Sequence, residues 1–190
     1  MSEENSSGFQ SNSTVNMTSD SSMQDAITIE HPSVGAVDEL TDMWVELAAD
    51  QRKYESYIQP EESRETVREM IAHRIASDCV YVACAETDEQ EQEETQILGF
   101  VTYEIERGAY ALSETRGIVQ NLYVTPSKRG VGIGTQLLCA AEDKLHQQGA
   151  TVITLEALAE NTRAQEFYRQ QGYNAHRVQF ERTLDFTEEN

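Results

Sequence analysis

Basic residues are scarce in this chain, and lysine is the scarcest of them. The 190 residues include 34 Asp and Glu but only 14 Lys and Arg, which gives a formal net charge of −20. The three lysines are Lys53, Lys128 and Lys144. A nucleic-acid-binding domain normally carries a basic stripe, and this sequence has none. The composition therefore predicts a protein that does not bind nucleic acid.

Long apolar runs and paired cysteines are also missing. No apolar run approaches the length of a membrane span, and the N-terminus has no basic region followed by an apolar stretch. These features predict a cytoplasmic protein with no membrane span. The three cysteines, Cys79, Cys84 and Cys139, have no metal-like spacing, and the four histidines are scattered. We therefore expect buried, reduced thiols and no metal.

The acidic residues are dispersed along the chain rather than gathered in one tail. Only "ETDEQEQEE" (86–94) concentrates them locally. Dispersed acid with little lysine is typical of proteins from extreme halophiles, because high salt screens the self-repulsion of the charges. The composition thus predicts a halophilic source.

The chain divides into a tail and one domain. Residues 1–24 contain eight serines, no basic residue and almost nothing large and apolar. Such a segment cannot bury enough surface to offset its ordering entropy. We therefore predict a disordered, acidic and Ser-rich tail over residues 1–25, followed by a single domain over residues 26–187.

Hydrophobic periodicity predicts a mixed α/β domain in the order β-α-α-β-β-β-α-β-α-β, with helices on both faces of the sheet. The segment 151–158 is β-branched and apolar, which predicts a central strand. Asn161 is placed to cap the last helix, and Gly149 and Gly172 are placed to end helices. The predicted strands cover residues 26–30, 79–86, 96–106, 117–124, 151–158 and 176–184.

A glycine loop follows the strand at 117–124. "SKRGVGIGT" (127–135) places Lys128 and Arg129 beside three glycines and before a predicted helix. Such a loop can aim backbone N–H groups at an anion, aided by the helix dipole. The dinucleotide fingerprint fails, since Thr135 or Leu137 occupies the position of its third glycine. The P-loop fails too, because Gly134 precedes Thr135 where that motif needs lysine.

The loop instead resembles a known motif. Arg129-x-x-Gly132-x-Gly134, after a strand ending in "NLYV" and a proline turn, is similar to the pyrophosphate-binding motif of the GCN5-related N-acetyltransferase (GNAT) family. Downstream, "LEALAENTRAQEFYRQQGY" (155–173) has the family's Asn, Ala, Phe-Tyr and Gly-aromatic positions. The resemblance implies a mostly antiparallel sheet in which strands 118–124 and 151–158 begin parallel and splay apart.

The resemblance also implies an activity and a co-substrate. Family members transfer acetyl from acetyl-coenzyme A to a primary amine by direct attack in a ternary complex. The loop amides would contact the diphosphate, and the backbone of 122–124 would pair with the pantetheine arm. The residues implied to bind the cofactor are Leu122, Tyr123, Val124, Arg129, Gly130, Val131, Gly132, Ile133, Gly134, Thr135, Asn161, Ala164, Phe167 and Tyr168.

Two residues are implied to be catalytic. Tyr168 occupies the position of the tyrosine that protonates the departing thiolate, although a core tyrosine would fit its apolar stripe as well. Many relatives have a glutamate where this chain has Gln120, so the general base is open. Glu156 is the first candidate, and Glu104 and Glu106 remain alternatives.

The missing glutamate leaves other functions open. One alternative is a non-catalytic protein that binds coenzyme A or acyl-coenzyme A as a regulator on the same fold. Another is an acidic interaction protein whose glycine loop is only a turn. The acceptor amine, on a small molecule or a protein, is not readable from the sequence. A homodimer is a further expectation, because family members often dimerise through the C-terminal strand and the sheet edge.

Overall fold

A five-stranded sheet forms the centre of the molecule in the computed structural model, which describes residues 27–86, 95–107 and 113–184. The first three strand pairs are antiparallel and the last pair is parallel. This mixed sheet confirms the predicted fold class. The strands lie side by side in chain order: β1 (Ile27–Glu30), β2 (Val80–Glu86), β3 (Thr95–Ile105), β4 (Arg116–Val124) and β5 (Val152–Thr154).

Helices cover both faces of the sheet, as predicted. Helices α1 and α2 pack on one face, here the α1/α2 face, and α3 and α4 pack on the other, the α3/α4 face. Gly149 and Gly172 have φ values of +94° and +90° just after α3 and α4, so both end a helix as expected. The helices are α1 (Val37–Gln51), α2 (Arg64–Ala76), α3 (Ile133–Gln147) and α4 (Thr162–Gln170).

Each face of the sheet has its own apolar core. On the α1/α2 face the stripe of α1, including Leu40 and Trp44, packs with Phe100 of β3. On the α3/α4 face α3 has an apolar stripe at helical spacing, and all of its members are buried, with Leu137 fully inaccessible: Ile133, Leu137, Leu138, Ala141 and Leu145. Burying a leucine contributes about 1.5–3 kcal/mol. These two cores hold β4 and the start of α3 in fixed positions.

Strand β4 is paired along its whole length on one side only. It pairs with β3 throughout, with a register shift between Thr102 and Tyr103 that leaves Gln120 as the extra residue of a bulge. On the other side only Arg116, Gly117 and Ile118 pair with β5. The two parallel strands therefore part after Ile118, and a gap opens beside residues 119–124.

Two of the strand predictions are wrong. The segment 176–184 alternates in polarity but forms no strand: it has no sheet partner among the described residues, and Val178, Phe180 and Leu184 are 73%, 90% and 61% exposed. The predicted central strand 151–158 is a three-residue edge strand. Alternating polarity indicates that an extended segment has one apolar and one polar face. Whether the segment joins a sheet depends on a neighbouring strand edge, which the local sequence does not specify.

Several other predictions concern surface properties. The thiol is buried at Cys84 and half-buried at Cys79, but exposed at Cys139, where the expectation of burial was wrong. In the described ranges no cluster of His, Cys, Asp and Glu could hold a metal ion, and no helix is long and apolar enough to cross a membrane. The predicted N-terminal tail and the acidic stretch 87–94 lie outside the described residues.

Candidate active site

The glycine loop presents a row of unused backbone donors. Gly130 and Gly132 have φ values of +87° and +91°, which favour glycine, and Gly132 begins α3 with no side-chain cap. Within the described ranges, none of the six N–H groups of residues 130–135 donates to a protein acceptor, whereas the next one, on Gln136, donates to the carbonyl oxygen of Gly132 at 3.1 Å. These donors lie at the positive end of a 15-residue helix. The loop can therefore bind an anion.

Space in front of the loop is open. A Cβ added at Gly130 or Gly132 would meet no atom within 4 Å. One added at Gly134 would lie 3.6 Å from the ring of Phe167 and 3.7 Å from the side chain of Val124. The loop, the end of β4 and helix α4 therefore meet at one place.

The side chain of Arg129 is turned back toward β4. Its Nε donates to the carbonyl oxygen of Val124 at 2.8 Å, and the guanidinium lies 5.8 Å from the centre of the Tyr123 ring. Asp50 of α1 approaches the same guanidinium at 3.9 Å. Arg129 thus fastens the start of the loop to the end of β4, and its charge adds to the positive potential near the amides.

Helix α4 brings Tyr168 to this region. The Oδ1 atom of Asn161 accepts a hydrogen bond from the Ala164 N–H at 3.1 Å, which caps the helix as predicted. Phe167 and Tyr168 pack against the α3/α4 core, with their ring centres 5.2 Å apart. The ring of Tyr173 lies 6.0 Å from that of Tyr168.

The hydroxyl of Tyr168 differs from those of the other buried tyrosines. Tyr103, Tyr123 and Tyr173 donate to the Asp78 carbonyl, the Glu46 carboxylate and the Glu142 carboxylate. Among the described residues, the Tyr168 hydroxyl has no hydrogen-bond partner. Burial raises the pKa of Tyr168 to about 12, so the phenol is protonated at neutral pH. This phenol on α4 is available as a hydrogen-bond donor.

A line of polar groups follows β4 on the α1/α2 face. Asn121 donates to Thr102 at 2.8 Å and accepts from the indole N–H of Trp44 at 3.2 Å. Nearer the loop, the Tyr123 hydroxyl contacts Glu46 of α1. The sequence analysis missed these contacts, because Trp44 and Asn121 are 77 positions apart and their sequence neighbourhoods carry no sign of the pairing.

The candidate bases are placed very differently. Gln120 donates to Glu104 Oε1 at 2.6 Å, and Arg74 of α2 pairs with Glu104 Oε2 at 2.6 Å. Glu106 pairs with Arg116 at 2.9 Å, and its Oε2 atom is buried. Glu156 lies two residues beyond β5, exposed, with no hydrogen bond or ion pair to any residue in the described ranges. The structure therefore brings Glu104 to the bulge of β4 and leaves Glu156 beyond the end of β5.

Several of the residues implied to bind the cofactor lie close together. Leu122 and Val124 pack on the α3/α4 side with Phe167 and Tyr168, and the loop follows directly from their strand. The Tyr123 side chain belongs to the opposite core, so only its backbone can face the gap. Coenzyme A, with its diphosphate and extended arm, matches the combination of amide row and open strand edge.

Comparison with known proteins identifies the family. The model of the acetyltransferase (GNAT) family matches residues 42–173, more than half of the chain. An uncharacterized N-acetyltransferase of Bacillus subtilis, YhfO, is 41% identical over 56 residues, which are 30% of this chain and 38% of that protein. An aminoalkylphosphonate N-acetyltransferase of Salmonella typhimurium is 37% identical over 68 residues, 36% of this chain and 44% of the relative. The chain spans less than half the length of these curated relatives.

The fold has solved counterparts. An aminoglycoside N-acetyltransferase in complex with coenzyme A superposes with a TM-score of 0.60 at 16% identity, covering 84% of this chain and 95% of that one. At this identity the likeness concerns the fold. Together with the family match over residues 42–173, the splayed β4–β5 pair and the glycine loop, it leads to one conclusion. The chain belongs to the acetyltransferase (GNAT) family.

Proposed function

We propose that this protein is an acetyl-coenzyme A-dependent N-acetyltransferase that acts on a primary amine of a small molecule or a protein. The observation that carries the proposal is the row of N–H groups over residues 130–135, free of protein acceptors in the described part of the chain, at the start of α3. This row lies at the end of the strand that borders the gap. A diphosphate is the anion whose length suits several successive amides.

The gap between β4 and β5 would bind the pantetheine arm of the co-substrate. In the described part of the chain, residues 119–124 have no partner on the β5 side, so their outward backbone groups can hydrogen-bond to the pantetheine arm of coenzyme A. An arm bound there would carry its thioester toward the point where the strands part, near Ile118. One of the N–H groups of this free edge could polarise the thioester carbonyl.

The transfer of the acetyl group needs an amine that attacks the thioester and a proton donor for the departing sulfur. The neutral amine attacks the thioester carbon, the new C–N bond forms, and the C–S bond breaks. Tyr168 gives its proton to the departing sulfur. A phenol whose pKa is about 12 can do this because a thiolate formed in the same desolvated surroundings also has a raised pKa.

Binding of acetyl-coenzyme A to the loop is tested by calorimetry with two matched variants. Gly132→Asp places a carboxylate among the amides, whereas Gly149→Asp adds the same charge at the other end of α3. Both glycines have positive φ, +91° and +94°, and open space around a Cβ, so both substitutions strain the backbone equally. We expect Gly132→Asp to weaken binding at least ~100-fold, since each charge-assisted hydrogen bond is worth ~1.5–3 kcal/mol. Gly149→Asp should bind as the wild type does, and equal affinity of all three proteins would exclude the loop.

Turnover separates the enzyme from its non-catalytic alternative. The alternative, a regulatory protein that binds acyl-coenzyme A, is favoured by Gln120 at the position where many relatives have a glutamate. Thiol release and acetylated product are measured with a panel of primary amines in molar salt. Binding without turnover for every amine of the panel would favour the regulator.

We also propose a halophilic source. The 34 acidic residues outnumber the 14 basic ones, which leaves a net charge of −20, and the repulsion among the excess carboxylates weakens when salt is high. The ion pairs of α1 and α2, such as Arg68 with Asp38 at 2.7 Å, are largely exposed and contribute little. Stability in this protein should therefore depend on ionic strength.

A further inference from the structure

One carboxylate lies at the bulge of β4, where the glutamate of many relatives is replaced by Gln120. We propose that Glu104 of β3 supplies this carboxylate, receiving the ammonium group of the acceptor and taking its proton. The proposal rests on the acetyltransferase function proposed above. The observation behind it is the chain of contacts from Arg74 through Glu104 to Gln120, each 2.6 Å long.

The position of Glu104 follows from the strand register. Its Cα is paired with that of Ile118, the last residue of β4 that pairs with β5. The carboxylate therefore lies one strand away from the point where the gap opens. The bulge turns the exposed side chain of Gln120 toward it. An amine that reaches a thioester in the gap from the α1/α2 face would pass this carboxylate.

The partners of Glu104 hold it without covering it. Arg74 is 13% exposed and fixes Oε2, while Gln120 fixes Oε1 and Glu104 itself keeps 35% of its side chain exposed. A carboxylate oxygen has two acceptor positions, so each oxygen can accept one more donor from a ligand. A protonated amine has the charge and the donors for this site.

The charged and titratable groups that face Glu104 are few. Arg74 approaches from α2, and the Cys79 thiol lies before β2; burial raises the pKa of that thiol, and Glu104 adds to the rise. Gln120, from β4, is neutral. A glutamate at position 120 would place two carboxylates side by side, so the amide allows a single fixed negative charge at the bulge.

The proton balance needs no further reactant. An acceptor R–NH3+ transfers one proton to the Glu104 carboxylate, and the resulting R–NH2 attacks the thioester carbon. The nitrogen loses a second proton as the amide forms, and the sulfur gains one from Tyr168. One proton returns to the Tyr168 phenolate and the proton on Glu104 passes to solvent, so that one proton is released overall. Because a lysine-like amine has a pKa near ~10.4, only about one molecule in 2,500 is neutral at pH 7 without such help.

The test compares three variants by steady-state kinetics from pH 7 to pH 10. Glu104→Gln keeps the shape and removes the charge. Its amide oxygen can still accept from Arg74, and its NH2 group can donate to the amide oxygen of Gln120 once that side-chain amide turns over. The swap Glu104→Gln with Gln120→Glu keeps an amide–carboxylate pair and moves the charge to β4. Asp38→Asn is the control, because it also removes the charge of a carboxylate that pairs with an arginine of α2, here Arg68 at 2.7 Å, away from the site.

We expect kcat/KM of Glu104→Gln to fall at least ~100-fold at pH 7 and to approach the wild-type value near pH 10, where the amine loses its proton unaided. The swap should recover at least tenfold, and Asp38→Asn should stay within threefold of wild type. Affinity for acetyl-coenzyme A should be unchanged in all of them.

A purely structural role for Glu104 would give a different result. A Glu104→Gln loss of less than threefold, or a loss that is the same at every pH, would overturn the proposal. If Glu104→Gln melts below the assay temperature, the swap decides alone, and a folded swap without activity counts against Glu104. Failure of the proposed function would be seen separately. In that case the wild-type protein would acetylate no amine, whether or not it binds acetyl-coenzyme A.

Discussion

Replacing Tyr168 by phenylalanine removes one hydroxyl and nothing else. The ring packs against Phe167 and Tyr173, and phenylalanine keeps these contacts. Because the hydroxyl has no partner among the described residues, its loss should change the free energy of unfolding by less than about 0.5 kcal/mol. If the hydroxyl protonates the thiolate, kcat and kcat/KM should both fall by ~10²–10⁴.

Tyr173 provides the matched control. Its ring touches that of Tyr168, but its hydroxyl donates to Glu142 of α3 at 2.6 Å. Tyr173→Phe therefore breaks a half-buried bond to a carboxylate, which costs about 1–2 kcal/mol. In a domain of this size that corresponds to a decrease in Tm of roughly 2–8 °C. Its turnover should stay within twofold or threefold of wild type.

The two variants are compared by thermal melting and by thiol release on the same preparations. The account predicts opposite patterns: Tyr168→Phe loses rate and keeps its Tm, whereas Tyr173→Phe loses Tm and keeps its rate. A Tyr168→Phe enzyme with wild-type kcat would remove this hydroxyl from the mechanism. A large loss of Tm in the same variant would show instead that the hydroxyl stabilises the core.

Two further predictions concern the conditions under which the fold is stable. Because the net charge is −20, Tm should rise with salt between 0.1 M and 3 M; a Tm that is flat or falls over a KCl series would contradict the halophilic assignment. Burial raises the pKa of Tyr103, Tyr168 and Tyr173 above the ordinary value near ~10. The unfolded chain therefore releases these protons first, and the stabilisation present below pH ~10 should be lost as pH rises toward the folded pKa values. Urea unfolding from pH 8 to pH 11 checks this, and constant stability over that range would refute it.

The helices and most strands could be predicted because their patterns are local. The stripe of α3, from Ile133 to Leu145, repeats at helical spacing, and all its predicted members are buried. The glycines that end α3 and α4 were also identifiable, since positive φ favours glycine. The segment 176–184 shows the limit of the method: its alternation fits a strand, but strand formation also requires a partner edge.

The candidate site was predictable only where a motif marks it. The loop and Tyr168 were identified because their residues resemble motifs of the family, and Asn161 was identified as a helix cap. The structure places the loop against α4 through Gly134 and Phe167. The contacts of Arg74 with Glu104 and of Tyr123 with Glu46 join residues 30 and 77 positions apart. Such pairs depend on the sheet register and the bulge, which no local pattern in the sequence contains.

A crystal structure with coenzyme A tests the central claim most directly. The account predicts diphosphate oxygens within hydrogen-bond distance of the N–H groups of residues 130–135, and the arm in the gap beside residues 119–124. It also predicts the sulfur within hydrogen-bond reach of the Tyr168 hydroxyl. Coenzyme A bound elsewhere, or bound with its sulfur far from Tyr168 and from the bulge at Gln120, would contradict the account.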